Sequence, residues 1–204
     1  MGIADADSPS MPEQFSLAGF QSSLEPTESL FIAAIPDNAA ALKIQETTPL
    51  LCKEHGLKGT PIAMERLHVT LHFIGVFADL PQGIVARTRE AAASVKRTPF
   101  DVVFDRVKSF SGGKGKRPIV LRSSSGLEAL VAFQRALSGA MARAALDRFK
   151  QPKFMPHLTL LYDSRRVAEQ AIEPIGWTVN EFVLVRSRLG LSRHETLARW
   201  PLSG

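Results

Sequence analysis

Two short stretches of this chain pair an imidazole with a hydroxyl at the same spacing. ERLHVTLHF (65–73) holds His68 and Thr70, and FMPHLTLLYD (154–163) holds His157 and Thr159. Both stretches read as β-strands. Side chains two residues apart in a strand share a face, about 6.6 Å from Cα to Cα, so each pair can touch one small ligand. Histidine titrates near neutral pH and can give or take a proton. Two imidazoles on opposite sides of a substrate can act as base and acid in one displacement, each proton transfer contributing ~10²–10⁴-fold. A threonine hydroxyl can donate to a non-bridging phosphate oxygen. Together the four groups suit attack at phosphorus without a metal. A lone strand histidine is more often a satisfied structural one; the repeat of His-x-Thr-Leu shifts the balance toward a shared site.

Those strands need a scaffold that brings them together. SLFIAAIP reads as a strand closed by Pro36, and Asp37 or Asn38 can cap a helix over 38–55. LPQGIVARTREAAASVKR reads as a helix, FDVVFDRVKSF as a strand, SGGKGKR as a loop and PIVLRS as the next strand. A long helix follows Gly126, its apolar residues three and four apart. GWTVNEFVLVRSRLG and LARWPL look like closing strand material. The signatures lie 89 residues apart (157 minus 68) and each follows a predicted helix. The pattern predicts an α+β fold of two β-α-β lobes related by a pseudo-two-fold. Within it, Val69, Leu71 and Phe73 are expected to face a core, and His68, Thr70 and His72 the opposite side. In the second strand Leu158 and Leu160 are expected in the core, with His157, Thr159 and Leu161 opposite.

The chain has 204 residues, of which 45% are hydrophobic and 22% charged, an ordinary globular composition. No apolar run approaches a membrane span, and Cys52 is the only cysteine, which excludes an internal disulfide and favours the cytoplasm. Residues 1–28 are rich in Ser, Pro, Ala and acid and read as a flexible leader, with 29–204 as one bilobal unit. Net charge is +5, yet no Lys or Arg precedes Lys43 while six acids do, so the remainder carries 25 minus 14, or +11. That balance suits a polyanionic partner. Arg106, Lys108, Lys114, Lys116, Arg117 and Arg122 stand in one acid-free stretch, 106–127. GGKGKR lacks the spacing of a Walker A loop, and no Cys/His spacing suggests zinc.

LHVTLHFIG and PHLTLLYD resemble the paired His-x-Thr-x signatures of the two-histidine (2H) phosphoesterases, and within them the RNA 2′,3′-cyclic phosphodiesterases, also called 2′-5′ RNA ligases. LFIAAIP, DRVKSFSGGKGKRPIVLR and LVRSRLGLSRHETLARWPL are similar to that family's opening strand, central hairpin and closing strands. The resemblance implies a bilobal fold with the signatures facing each other across a cleft. It implies cofactor-free, metal-free hydrolysis of RNA 2′,3′-cyclic phosphate ends, tRNA fragments included, to 2′-phosphomonoesters, with reversible 2′-5′ ligation through the same site. The sequence gives no oligomeric state; a monomer is the expectation. By the same resemblance His68 would protonate the departing 3′-oxygen and His157 activate water. Thr70 and Thr159 would hold phosphate oxygens, and Arg117 would add positive charge beside them. His72, where relatives often have a small residue, reads as a partner of His68 or a rim residue. Tyr162 reads as a base-stacking or strand-end residue, and Asp163 as a partner of His157 or a turn cap. RHETL stands where relatives often carry an aromatic. Two other readings remain open from sequence: a non-catalytic RNA-binding module of the same fold, and a 2H phosphodiesterase for small cyclic nucleotides or 2′-5′ oligonucleotides.

Overall fold

Every residue of ESLFIAA is buried, and this stretch forms β1 (Glu28–Ala34). A strand without a solvent face belongs inside a sheet, and β1 lies between β2 (Val69–Phe77) and β7 (Glu181–Arg188), with β8 (Arg193–Pro201) beyond β7. The second sheet runs in the order β5 (Leu158–Asp163), β4 (Arg117–Arg122), β3 (Phe100–Ser109), β6 (Gln170–Val179). All pairings are antiparallel. Three helices connect and cover the sheets: α1 (Asn38–His55), α2 (Gln82–Ala93) and α3 (Glu128–Arg143). This computed structural model describes residues 27–110, 115–147 and 154–203. The leader expected over 1–28 and the glycine-lysine loop at 111–114 thus fall largely outside the described residues. Among those described, no helix is long and apolar enough to cross a membrane.

Local chemistry sets the helix ends. Asp37 accepts a hydrogen bond from the Ala40 N–H at 2.8 Å and caps α1. Gly56, at φ 62°, closes that helix in the left-handed conformation, its N–H donating to the Cys52 carbonyl. In α3, Leu130, Phe133, Leu137, Ala140 and Met141 form the buried stripe that the apolar spacing predicts. Of these, Leu130, Phe133, Leu137 and Met141 pack into one core with Leu30 and Ile32 of the first sheet and Val102, Phe104 and Leu121 of the second.

The α+β expectation holds, and the two halves match. β1-α1-β2 builds one unit and β4-α3-β5 the other, each leaving its signature strand at a sheet edge. One segment differs from the sequence reading. GWTVNEFVLVRSRLG is not one strand: the chain crosses from β6 in one sheet to β7 in the other at Asn180. Trp177 and Val179 before the crossing, and Phe182 and Leu184 after it, fill the same core. Their near-regular alternation hides the change of sheet.

Both signature strands carry the same irregularity. Thr70 pairs with Ala33 and His72 with Ile32, leaving Leu71 as an extra residue. Thr159 pairs with Val120 and Leu161 with Ile119, leaving Leu160 extra. A bulge directly after each threonine resets the inside-outside alternation. His72 is therefore turned to the core side, only 8% exposed, and does not share a face with His68. Its counterpart Leu161 is likewise in the core, fully buried. His72 Nε2–H donates to the Leu146 carbonyl at 3.4 Å, and its Nδ1 accepts from the Ser138 hydroxyl at 3.1 Å. Ser138 in turn accepts from the Gln134 amide. The sequence reading of His72 as a cleft residue fails because the bulge is invisible in the residue types.

Candidate active site at the paired signature strands

His68 immediately precedes β2 and His157 immediately precedes β5. The same short interaction orients each ring. His68 Nδ1 lies 2.7 Å from the Arg66 carbonyl, and His157 Nδ1 lies 2.8 Å from the Met155 carbonyl. A carbonyl only accepts, so each Nδ1 carries hydrogen. In the neutral ring the proton-accepting atom is then Nε2 in both cases. The two edge strands β2 and β5 touch one another, and the charge on His157 is felt at His68.

Each histidine also rests on a phenylalanine. The Phe31 ring centre is 4.9 Å from that of His68, and Phe110 is 4.7 Å from His157. A second nitrogenous group leans on each phenylalanine. His194 of β8 stands 5.5 Å from Phe31 and 5.2 Å from His68, edge-on to both. Arg122, the last residue of β4, sits over Phe110 with its guanidinium carbon 5.8 Å from the ring centre. The trios His68–Phe31–His194 and His157–Phe110–Arg122 are alike in make-up, but Phe31 lies in β1 and Phe110 follows β3, so the pseudo-two-fold does not relate them. Only one of them ends in a permanent cation.

Thr70 pairs across the ladder with Ala33, which packs with Phe31, Val183 and Val185 on the face away from the main core. Cross-strand partners share a face, so Thr70 looks into the cleft beside His68. Thr159, half-buried between the core residues Leu158 and Leu160, takes the matching position beside His157. The structure sets these four predicted residues as two pairs on edge strands that touch.

Arg117 does not join them. That residue pairs with Asp163 at the far end of β4, while the end near His157 is Arg122. Five residues of antiparallel strand separate the two arginines by about 17 Å. The sequence reading placed Arg117 in the loop before PIVLRS and took its role from the resemblance, with Arg122 seen only as part of the basic stretch; the antiparallel pairing of β4 with the second signature puts Arg122 beside its histidine. The Nε atoms of Arg122 and Arg66 are buried with no hydrogen-bond partner among the described residues, as is that of Arg117. Both guanidinium groups act electrostatically on a signature histidine, Arg122 on His157 and Arg66 on His68. Unpartnered buried donors beside neutral imidazoles suit an anion.

Asp163 is not a partner of His157. Its carboxylate accepts from the backbone N–H groups of Lys58, Gly59 and Arg165 at 2.6, 2.7 and 2.8 Å. Those bonds, Arg165 first, hold its carboxyl below the usual aspartate range. They clamp the segment after α1 along the open edge of β5, where Ile62 N–H donates to the Leu160 carbonyl. The approach is so close that a Cβ at Gly59 would meet the Tyr162 carbonyl oxygen at 2.2 Å. Tyr162 itself is 49% exposed, opposite Pro118 and three residues beyond Thr159.

Burial is the main cause that lowers all four site and core histidines below their ordinary value of 6.5: His68, His72, His157 and His194, the last to about 4. A second cause is the company each keeps, since His194 also feels His68 and Arg66. A histidine whose pKa is depressed by folding binds its proton more readily in the unfolded chain. It therefore stabilises the fold above the unfolded value and loses that contribution as pH falls through the folded one. We expect the urea midpoint to drop as pH is lowered from about 6.5 toward the value near 4 of His194. His72→Gln should flatten part of that slope, because protonating Nδ1 of His72 costs the bond it accepts from Ser138. A midpoint independent of pH over this window would contradict the burial of these imidazoles.

A family model described as the 2′-5′ RNA ligase superfamily matches residues 35–191, taking in both signatures and every helix. The chain belongs to that superfamily. It is a phosphoesterase of the 2H kind. This 2H phosphoesterase is 27% identical over 150 residues to the RNA 2′,3′-cyclic phosphodiesterase of Escherichia coli (strain K12), a match spanning 71% of this chain and 81% of that one. Its fold is similar to E. coli LigT crystallised with 3′-AMP, at TM-score 0.70 and 24% identity, covering 88% of this chain and 100% of that one. It is also similar to TT0787 of Thermus thermophilus, at TM-score 0.69 and 21% identity, covering 85% and 97%. Among the described residues of this 2H phosphoesterase, no three His, Cys, Asp or Glu side chains gather into a group that could hold a metal.

Proposed function

We propose that this protein hydrolyses the 2′,3′-cyclic phosphate at RNA ends to a 2′-phosphomonoester, with no metal in the chemistry. One observation carries the reading: two histidines at equivalent places in two lobes, each with Nδ1–H fixed on the carbonyl two residues upstream, and each leaving Nε2 free. Water attacks phosphorus as its proton passes to His157 Nε2. The bond from phosphorus to the 3′-oxygen breaks, and that oxygen takes a proton from His68 Nε2. The direction of this relay follows the resemblance to the family; the same displacement with a 5′-hydroxyl in place of water breaks the same bond to the 3′-oxygen and makes a 2′-5′ link. Thr70 and Thr159 donate to the non-bridging oxygens. Arg122, in place of Arg117, faces the charge that gathers there. The RNA phosphodiesterase named in the E. coli relative supports the substrate class.

The deciding assay uses a short RNA ending in a 2′,3′-cyclic phosphate, with the position of the product phosphate determined. We expect a 2′-phosphate, and a rate unchanged by EDTA. A 3′-phosphate, or activity lost to EDTA and restored by a divalent cation, would refute the proposed chemistry.

A further inference from the structure

The cleft face of the second sheet carries more positive charge than one phosphate requires. Arg106 on β3 stands directly opposite Arg122 on β4. Like charges directly opposite on neighbouring strands repel. Lys108 follows two residues on, on the same face as Arg106 and about 6.8 Å along the strand. Among the described residues Glu169 pairs with one of these cations, and Asp105 feels the charge of Arg106. Glu169 pairs with Lys108 at 2.5 Å, and that hydrogen bond, then the charges of Lys108, Arg122 and Arg106, holds it below its ordinary range. A cavity of about 400 Å³ opens at this point, lined by Lys108, Phe110, Arg166 and Glu169 among others. Phe110, on which His157 rests, is one wall of this cavity, and Arg106 stands two residues from Lys108 on the same face without lining it.

We propose that Lys108, Arg106 and Arg166 form a second phosphate site, which takes the phosphate linking the terminal nucleotide of an RNA to its neighbour. The proposal rests on the function argued above. An RNA that ends in a cyclic phosphate has further phosphates on its 5′ side only, so a second anion site beside the first selects chains over mononucleotides. Glu169 pairs with Lys108. An incoming phosphate displaces that carboxylate, because it brings its charge to Lys108 and Arg166 in one cavity, with Arg106 adding its field from the same face of β3.

The test compares KM for a nucleoside 2′,3′-cyclic phosphate, which carries one phosphate, with KM for a dinucleotide ending in the same group, which carries two. Lys108 and Arg166 reach the surface, so their alanine variants should fold. Lys108→Ala and Arg166→Ala should each raise KM for the dinucleotide by about tenfold, the loss of one charged contact, and by less than about twofold for the mononucleotide. Glu169→Gln should lower KM for the dinucleotide alone. The ratio of the two KM values in the wild type should shrink as salt rises. Equal changes for both substrates, or none for either, would overturn the second site and leave the hydrolytic function standing. If the wild type turns over neither substrate, the proposed activity itself fails. The site is then judged by equilibrium binding of labelled one- and two-phosphate oligonucleotides to the same variants, where an unchanged affinity ratio overturns it.

Discussion

Alanine at His68 or at His157 is expected to lower kcat/KM by ~10²–10⁴-fold or more, with the circular dichroism spectrum of the wild type retained. Both rings are half-buried rather than core residues, so their removal leaves the packing of β2 and β5 in place. The losses should not add. Base and acid serve one displacement, and once either is missing the other has little left to do. The double variant should therefore fall close to the weaker single one. The pH profile supplies a second, independent reading. Burial holds His68 and His157 both below 6.5. One must be neutral and the other protonated, so kcat/KM should rise and fall as a bell whose maximum lies on the acid side of about 6.5. The maximum falls midway between the two limbs, so its position is independent of which ring is acid. A maximum well above neutrality, or near-normal turnover in either alanine variant, would end the two-histidine proposal.

How far the sequence could carry this reading is clear from where it broke. The elements themselves were legible. Asp37 capping a helix over 38–55 and the apolar stripe of α3 are local chemistry, and they stand where the residue types predict. The duplicated His-x-Thr was legible too, because its spacing of two survives in any extended strand. What followed the threonines was not. Leu71 and Leu160 look like ordinary strand leucines, yet each is the extra residue of a bulge, and everything beyond it changes face. That is why a titratable His72 could be mistaken for a cleft residue while it sits in the core against Ser138 and Leu146. Cross-strand information was also missing. Phe31 lies in a run that is apolar on both faces, so nothing singles it out as the support of His68. Of the closing RHETL only the departure from an aromatic was visible; that His194 reaches His68 depends on β8 lying two strands away from β1.

The choice between Arg117 and Arg122 is the sharpest consequence of register, and it predicts a large difference between two changes that look alike on paper. Arg122→Ala should lower kcat by about 10²-fold, the scale of losing one charge-stabilising group at the transition state. Arg117→Ala should stay within about twofold, since strand geometry keeps it about 17 Å away. Arg122 also acts on His157, where its charge adds to burial in favouring the neutral ring. Without that cation the imidazolium becomes easier to form and the His157 pKa rises. If His157 is the base, it must then be deprotonated at a higher pH, and the acid limb of the kcat/KM profile moves upward. Lysine at 122 keeps the charge but not the planar fork. It should return the acid limb toward its original place while recovering only part of the rate. An Arg117→Ala variant as damaged as Arg122→Ala, or an Arg122→Ala profile with neither limb moved, would mean that the guanidinium beside Phe110 does not face the reacting phosphate. An unmoved acid limb with the alkaline limb shifted instead would exchange the roles of the two histidines, because Arg122 touches the titration of His157 while Arg66 and His157 itself touch that of His68.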